Sequence, residues 1–162
     1  MALREVRIED ALWAGATEAR RCEWRVVIRE LVAHAQFRVP GAPDILRVLP
    51  SVELTELALD DAGGCEVARA TVRRDALSRH VAEYVDVCRK LASDDFGRGS
   101  PRFEALDMGK KLAHDDAATT LVPLCAPLGA DHETCRRLFT LLLVLRVDTT
   151  RMVGVHGHRP FR

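Results

Sequence analysis

Two alternating stretches and the turn after them decide the fold: Ile45-Leu46-Arg47-Val48-Leu49-Pro50, Leu54-Thr55-Glu56-Leu57-Ala58-Leu59, then Asp60-Asp61-Ala62-Gly63-Gly64. The first run is strand-like up to Pro50. The second alternates polar and apolar residues, the period of a half-buried strand. The Asp-Asp-Ala-Gly-Gly segment is a turn, because glycine takes positive φ without a steric cost. Cys65 to Val72 then returns as a third strand, giving a hairpin with a four- or five-residue loop.

Upstream, residues 4–9 alternate with Val6 and Ile8 on one side, a further short strand. Thr17 is placed to cap a helix from Glu18 to Ala35, with Cys22, Val26, Val27, Leu31, Val32 and Ala35 as its apolar positions. Val39-Pro40-Gly41-Ala42-Pro43 ends it in a loop. Downstream the chain is helical. From Asp75 to Leu91 the apolar positions Leu77, Val81, Tyr84, Cys88 and Leu91 form one stripe. Ser93 to Pro101 reads as a polar loop, and Ser100-Pro101 as an N-cap with proline at the first helical position. The helix that follows carries Phe103, Leu106 and Ala113, weakens at Thr119-Thr120, and must kink or stop around Pro123 and Pro127. Asp131 can cap a last helix through Val147 that is apolar on most faces, the expected central helix of the core.

The expected fold is therefore α+β. A small antiparallel sheet of about four strands packs with four α-helices in a single domain over residues 1–148. Residues 149–162 read as a loose C-terminal tail.

Composition excludes several classes of function. The chain has 162 residues, 48% hydrophobic and 30% charged, with 24 Lys+Arg against 24 Asp+Glu. That apolar fraction is too high for intrinsic disorder. Zero net charge lacks the basic excess of a general nucleic-acid binder. No apolar run approaches the ~20 residues of a membrane span. Met1 to Arg7 interleaves charged and apolar residues, unlike a signal peptide. Five cysteines without C-x-x-C spacing make neither a disulfide scaffold nor a zinc ribbon. Cys22, Cys88 and Cys135 lie in line with apolar residues and read as small buried hydrophobes, while Cys65 at the turn is the exposed one. Reduced thiols in a cytoplasmic protein fit all five.

One segment carries candidate chemistry. On a helix, Asp107, Lys110 or Lys111, and His114 share a face, being 0, 3–4 and 7 residues along. A carboxylate, an ammonium and an imidazole in a row can bind an anion or do acid–base work. The same spacing fits a solvated face with ordinary ion pairs. Gly109 then marks a helix crossing, at about 1 kcal/mol relative to alanine. His80 borders an apolar stripe and reads as a core-edge residue with one hydrogen bond. His156 and His158 form an H-x-H pair in the tail, a weak metal site at best. There is no P-loop, G-x-G-x-x-G, H-E-x-x-H or G-x-S-x-G motif. No cofactor and no resident metal are expected.

Glu104-Ala105-Leu106-Asp107-Met108-Gly109-Lys110-Lys111, followed by His114, resembles the signature of uncharacterised protein family 0262, a bacterial family with E-A-I-D-M-G-R-R followed by L-H-N-E-G. Asp131 with Thr134-Cys135-Arg136-Arg137-Leu138-Phe139-Thr140-Leu141 is similar to that family's D-x-x-T-A-R-R-L-F-T-L segment. Glu23-Trp24-Arg25 and Tyr84-Val85-Asp86-Val87-Cys88 fall where it has its own charged–hydrophobic and Y-F-x-I-C segments. The family's glycine after the basic pair is Leu112 here, and its N-E-G is Asp115-Asp116-Ala117. The resemblance implies a fold and a functional surface but no reaction. It adds Arg136 and Arg137 to the candidates Asp107, Lys110, Lys111 and His114.

Two readings follow. In the first, the chain is a non-catalytic protein that holds a protein partner, a homo-oligomeric one included, or a small anionic ligand on these residues. In the second it is a small enzyme: His114 is the acid or base, Asp107 orients it, and Lys110 or Lys111 binds an anionic group. Neither requires a membrane or nucleic acid.

Overall fold

The hairpin around Asp60 to Gly64 forms as its turn residues dictate, and a second one precedes it. In the computed structural model, which describes residues 2–93 and 100–152, β2 (Pro43–Pro50), β3 (Leu54–Asp61) and β4 (Glu66–Arg73) pair antiparallel in sequence order. At the tip, Asp61 Oδ1 accepts from the N–H groups of Gly63 and Cys65, both at 2.9 Å. The first strand, β1 (Glu5–Ile8), lies beside β2 and runs parallel to it. The sheet is therefore mixed, with order β1-β2-β3-β4, and not antiparallel throughout. The cause is the connection. Strands joined by a tight turn must run antiparallel, whereas Ile8 reaches Pro43 through α1 (Asp10–Gly15) and α2 (Glu18–His34), a crossover long enough to restart in the same direction.

Alternation puts Val6, Ile8, Leu46, Val48, Leu57 and Leu59 on one face of the sheet, all within the main core. The other face is an ion-paired lattice. Arg47 reaches Asp60 at 2.5 Å and Glu66 at 2.9 Å, and Arg69 bonds Glu66 and Glu56 at 2.7 and 2.8 Å.

Four longer helices cover the apolar face: α2, α3 (Arg74–Ser93), α4 (Pro101–Leu124) and α5 (His132–Arg146). Helix α5 is the core helix expected of its all-round apolar sequence, with Leu138, Phe139, Leu141 and Leu143 buried. It packs between α2 and α4, and α3 packs on α4. Caps fall where the sequence placed them. Thr17, Ser100 and Asp131 side chains accept from Arg20, Phe103 and Thr134 N–H groups.

The structure departs from expectation in several places. Helix α1 is additional to the four expected; its Trp13 lies 5.8 Å from Trp24. On α2 the buried residues are Trp24, Val27 and Leu31, whereas Val26 is exposed and so is Cys22. Trp24 decides that rotation. It is fully buried, and its Nε1–H donates to Val144 O at 3.0 Å. Arg20 donates to Val144 O and Leu145 O, so α2 side chains cap the last carbonyls of α5. Helix α4 does not weaken at Thr119-Thr120. Ala117, Ala118 and Leu121 are buried, and the helix runs to Leu124 with Pro123 in its last turn. Thr149–Arg151 forms a single 3-10 turn, with Thr149 buried and its hydroxyl donating to Glu23. Residues 153–162, with His156 and His158, lie outside the described residues, as do residues 94–99 of the expected loop. Among the described residues, no helix is long and apolar enough to cross a membrane.

Candidate functional site

Helices α3, α4 and α5 meet around His114. The imidazole turns inward from α4, with Nε2 2.7 Å from Thr140 Oγ1 on α5. Its ring lies 5.3 Å from Phe139 and 5.8 Å from Tyr84, and those two rings meet edge-on at 6.1 Å. The Thr140 hydroxyl donates to Arg136 O at 3.2 Å. Its proton is thereby spent, so the proton between the two side chains belongs to His114 Nε2. Burial first, then the charge of Arg136 and last that of Lys110, depress His114 from 6.5 to about 4, opposed by a hydrogen bond to the Arg136 backbone and by the charge of Asp115. The ring is neutral at pH 7.

The expected face divides in two. Lys110 lies over Tyr84, its Nζ 5.9 Å from the ring centroid. Arg136 forms an ion pair across the helix interface with Asp115. Those groups surround His114. Asp107 instead pairs outward with Lys111 at 3.3 Å on the exposed side of α4. Arg137 bonds along its own helix, to Glu133 O at 3.0 Å and to the Glu133 carboxylate at 3.9 Å. Adjacent residues on a helix point about 100° apart, which separates Arg136 from Arg137 and Lys110 from Lys111. Among the described residues, no hydrogen bond or ion pair joins Asp107 to His114.

The cluster also holds residues that the sequence reading left in the core or overlooked. Tyr84 and Cys88, one turn apart on α3, share a hydrogen bond. Burial, with Cys88 adding to it, pushes the Tyr84 hydroxyl well above its ordinary value, and burial raises the Cys88 thiol against the pull of Lys110. Thr140 and Asp115 complete the frame. The signal for Thr140 was its place four residues after Arg136, on the same α5 face. His80 makes a second rung of the same kind, its Nε2 2.8 Å from Thr120 Oγ1, and is buried with one partner as its border position suggested. Among the described residues, no group of three or more His, Cys, Asp or Glu is placed to hold a metal ion.

Gly109 sits between these residues and α3. A Cβ there would meet only Val87 Cγ2, at 4.0 Å, an ordinary contact. Nothing in the packing requires glycine. Gly109→Ala should therefore stabilise the protein by about 1 kcal/mol through helix propensity, read as a rise in thermal midpoint.

The chain is an α+β protein with one mixed sheet and a helical layer that carries a neutral histidine inside a frame of ion pairs and threonine rungs. The uncharacterised protein family UPF0262 matches residues 1–148, and the chain belongs to that family. A UPF0262 protein of Rhizobium meliloti is 30% identical over 107 residues, covering 65% of this chain and 68% of the relative. Those of Methylobacterium radiotolerans and Rhodospirillum rubrum are 25% and 26% identical, each over 88% of this chain and 91% of the relative. No solved structure matches. In three dimensions three of the segments that carried the resemblance converge. Tyr84 and Cys88, Lys110 and His114, and Arg136 and Thr140 come from three separate segments and build one cluster.

Proposed function

We propose that this protein is a non-catalytic interaction protein of the cytoplasm that pairs with a second copy of itself through the outer face of α4. The observation that carries this reading is a pair of exposed apolar side chains one turn apart, Met108 at 54% and Leu112 at 55% exposure. Asp107 precedes Met108, and Lys111 lies between Met108 and Leu112. The exposed Asp107–Lys111 ion pair beside them carries both signs of charge, and such a pair complements its own reverse. Two α4 helices crossing antiparallel about a two-fold axis would bring each Met108 and Leu112 together and set the Asp107–Lys111 pair against its counterpart on the partner. The His114 cluster then serves to hold α4 at a fixed orientation on α3 and α5.

The anion-binding form of the reading has less support on this face, because Arg136, Arg137 and Lys111 each already bond an acidic residue. The acid–base alternative asks for an imidazole that titrates near neutrality, and the surroundings of His114 pull the other way.

Sedimentation velocity on the full chain tests the proposal. The expected result is a dimer at micromolar concentration. Met108→Glu with Leu112→Glu should give a folded monomer, since both side chains are exposed in the single chain. A monomer at every concentration, or a dimer that survives the double substitution, would overturn it.

A further inference from the structure

A second site lies on another part of the molecule. The β2–β3 turn, the start of α3 and the end of α5 enclose a cleft of about 80 Å³. Its floor is apolar: Val72, Leu77, Val81 and Leu142 are buried there and Leu145 is half-buried. Its rim is cationic, formed by Arg73, Arg74 and Arg146. Arg73 bonds the exposed carboxylate of Asp75 at 3.2 Å. Among the described residues, neither Arg74 nor Arg146 has a carboxylate partner. The outer sheet face, where Arg47 and Arg69 are each held by two acidic residues, shows how the same chain disposes of arginines that it means to neutralise.

Arg146 is also positioned. Its Nη1 donates to Arg74 O at 2.9 Å and its Nη2 to Ser78 Oγ at 3.0 Å. Those bonds fix the guanidinium plane at the cleft and leave further N–H donors unspent. Helix α3 starts at Arg74, so the positive end of its dipole adds to the same potential. Such an arrangement costs the fold stability. Burial, and then Arg74, lower the proton affinity of Arg146. An anion in the cleft would relieve that cost.

We propose that this cleft binds a small organic monocarboxylate, its head held by Arg74 and Arg146 and its short apolar stem laid on Leu77, Leu142 and Leu145. The guanidinium of Arg146, fixed in its plane, matches the planar, bidentate geometry of a carboxylate, and Arg74 adds a second positive charge to the rim. The apolar floor selects against a bare inorganic anion, which would leave it wet.

The test is a methyl-detected NMR titration of the full chain with sodium hexanoate, inorganic phosphate and neutral hexanol. Hexanoate should saturate in the millimolar range and shift the methyl signals of Val72, Leu77, Leu142 and Leu145. Phosphate and hexanol should each bind at least about tenfold more weakly, lacking the stem or the charge-assisted hydrogen bonds. Arg146→Gln should weaken hexanoate by about tenfold or more. That variant also loses the bonds to α3. Arg74→Gln, at an exposed side chain, is therefore the variant that spares the fold, and it should weaken hexanoate comparably. No saturable shift at these methyls, phosphate or hexanol binding as well as hexanoate, or an unchanged affinity in Arg74→Gln would each overturn the proposal. The site does not depend on self-association through α4, so a monomeric protein that binds hexanoate would separate the two.

Discussion

Gly129→Ala should lower the unfolding free energy by about 4 kcal/mol, and the thermal midpoint by roughly 12 °C at this chain length. Gly129 has φ of 59°, in the left-handed region, where a Cβ is strained. Strain alone would make this an ordinary loss. The larger part is steric: a Cβ would stand 2.2 Å from Arg38 O and 2.7 Å from Arg38 N. These are backbone atoms, and they cannot rotate away. They are held there because Arg38 N–H donates to Gly129 O at 3.0 Å and Phe37 bridges to Ala130. Relieving the clash means lifting the segment after α2 off the start of α5. Buried Ala35 and Phe37 would go with it, as would the bond from Gln36 N–H to Thr134 Oγ1 at 2.8 Å. Gly64→Ala is the control. Its φ of 84° is equally left-handed, yet nothing lies within 4 Å of its added Cβ. It should cost only the backbone strain, about 1 kcal/mol. Equal losses in the two variants would show that the approach of Arg38 is not what glycine serves.

That close approach was invisible in the sequence, where Gly129 follows Pro127 in an unremarked joint. The difference between what could and could not be read is one of range. The hairpin of β3 and β4 was legible because Asp61 and Gly64 encode it within a few residues. The caps at Thr17, Ser100 and Asp131 were legible for the same reason. The α3 stripe was legible because its buried face needs only a period. The direction of β1 was not, because it depends on a crossover through two helices. The rotation of α2 was not, because Val26 and Cys22 match a helical stripe as well as Val27 does. Only the fit of Trp24 against the end of α5 chooses between them. The candidate site shows the same limit. Helical spacing put Asp107, Lys110 or Lys111, and His114 on one face, which the structure divides in two. It could not say which of two adjacent lysines turns toward Tyr84 and which toward solvent.

The neutral state of His114 should be visible as a loss of stability in mild acid. The folded protein holds this imidazole at about 4, against 6.5 for an ordinary one. Above pH 6.5 the ring is neutral in both folded and unfolded chains and contributes no pH dependence. As pH falls below 6.5 the unfolded chain takes up a proton that the folded protein refuses. Stability is therefore lost between pH 6.5 and about 4, and the loss levels off below that. At about 1.4 kcal/mol for each tenfold in proton affinity, the full loss is about 3 kcal/mol. Urea unfolding at several pH values would measure it. His114→Gln, which keeps an N–H donor toward Thr140, should flatten the slope in that window whatever its effect at neutral pH. An NMR titration of the His114 ring protons gives the midpoint directly. Arg136→Gln should raise that midpoint, because it removes the largest like-charge contribution while burial remains. A wild-type midpoint near neutrality would mean that the bond to the Arg136 backbone and the charge of Asp115 together outweigh burial and both cations. It would also restore the imidazole to the range in which a general acid or base operates, and so favour the enzymatic reading over the interaction protein. The slope and the midpoint must agree, since both follow from the same difference in proton affinity between folded and unfolded chains.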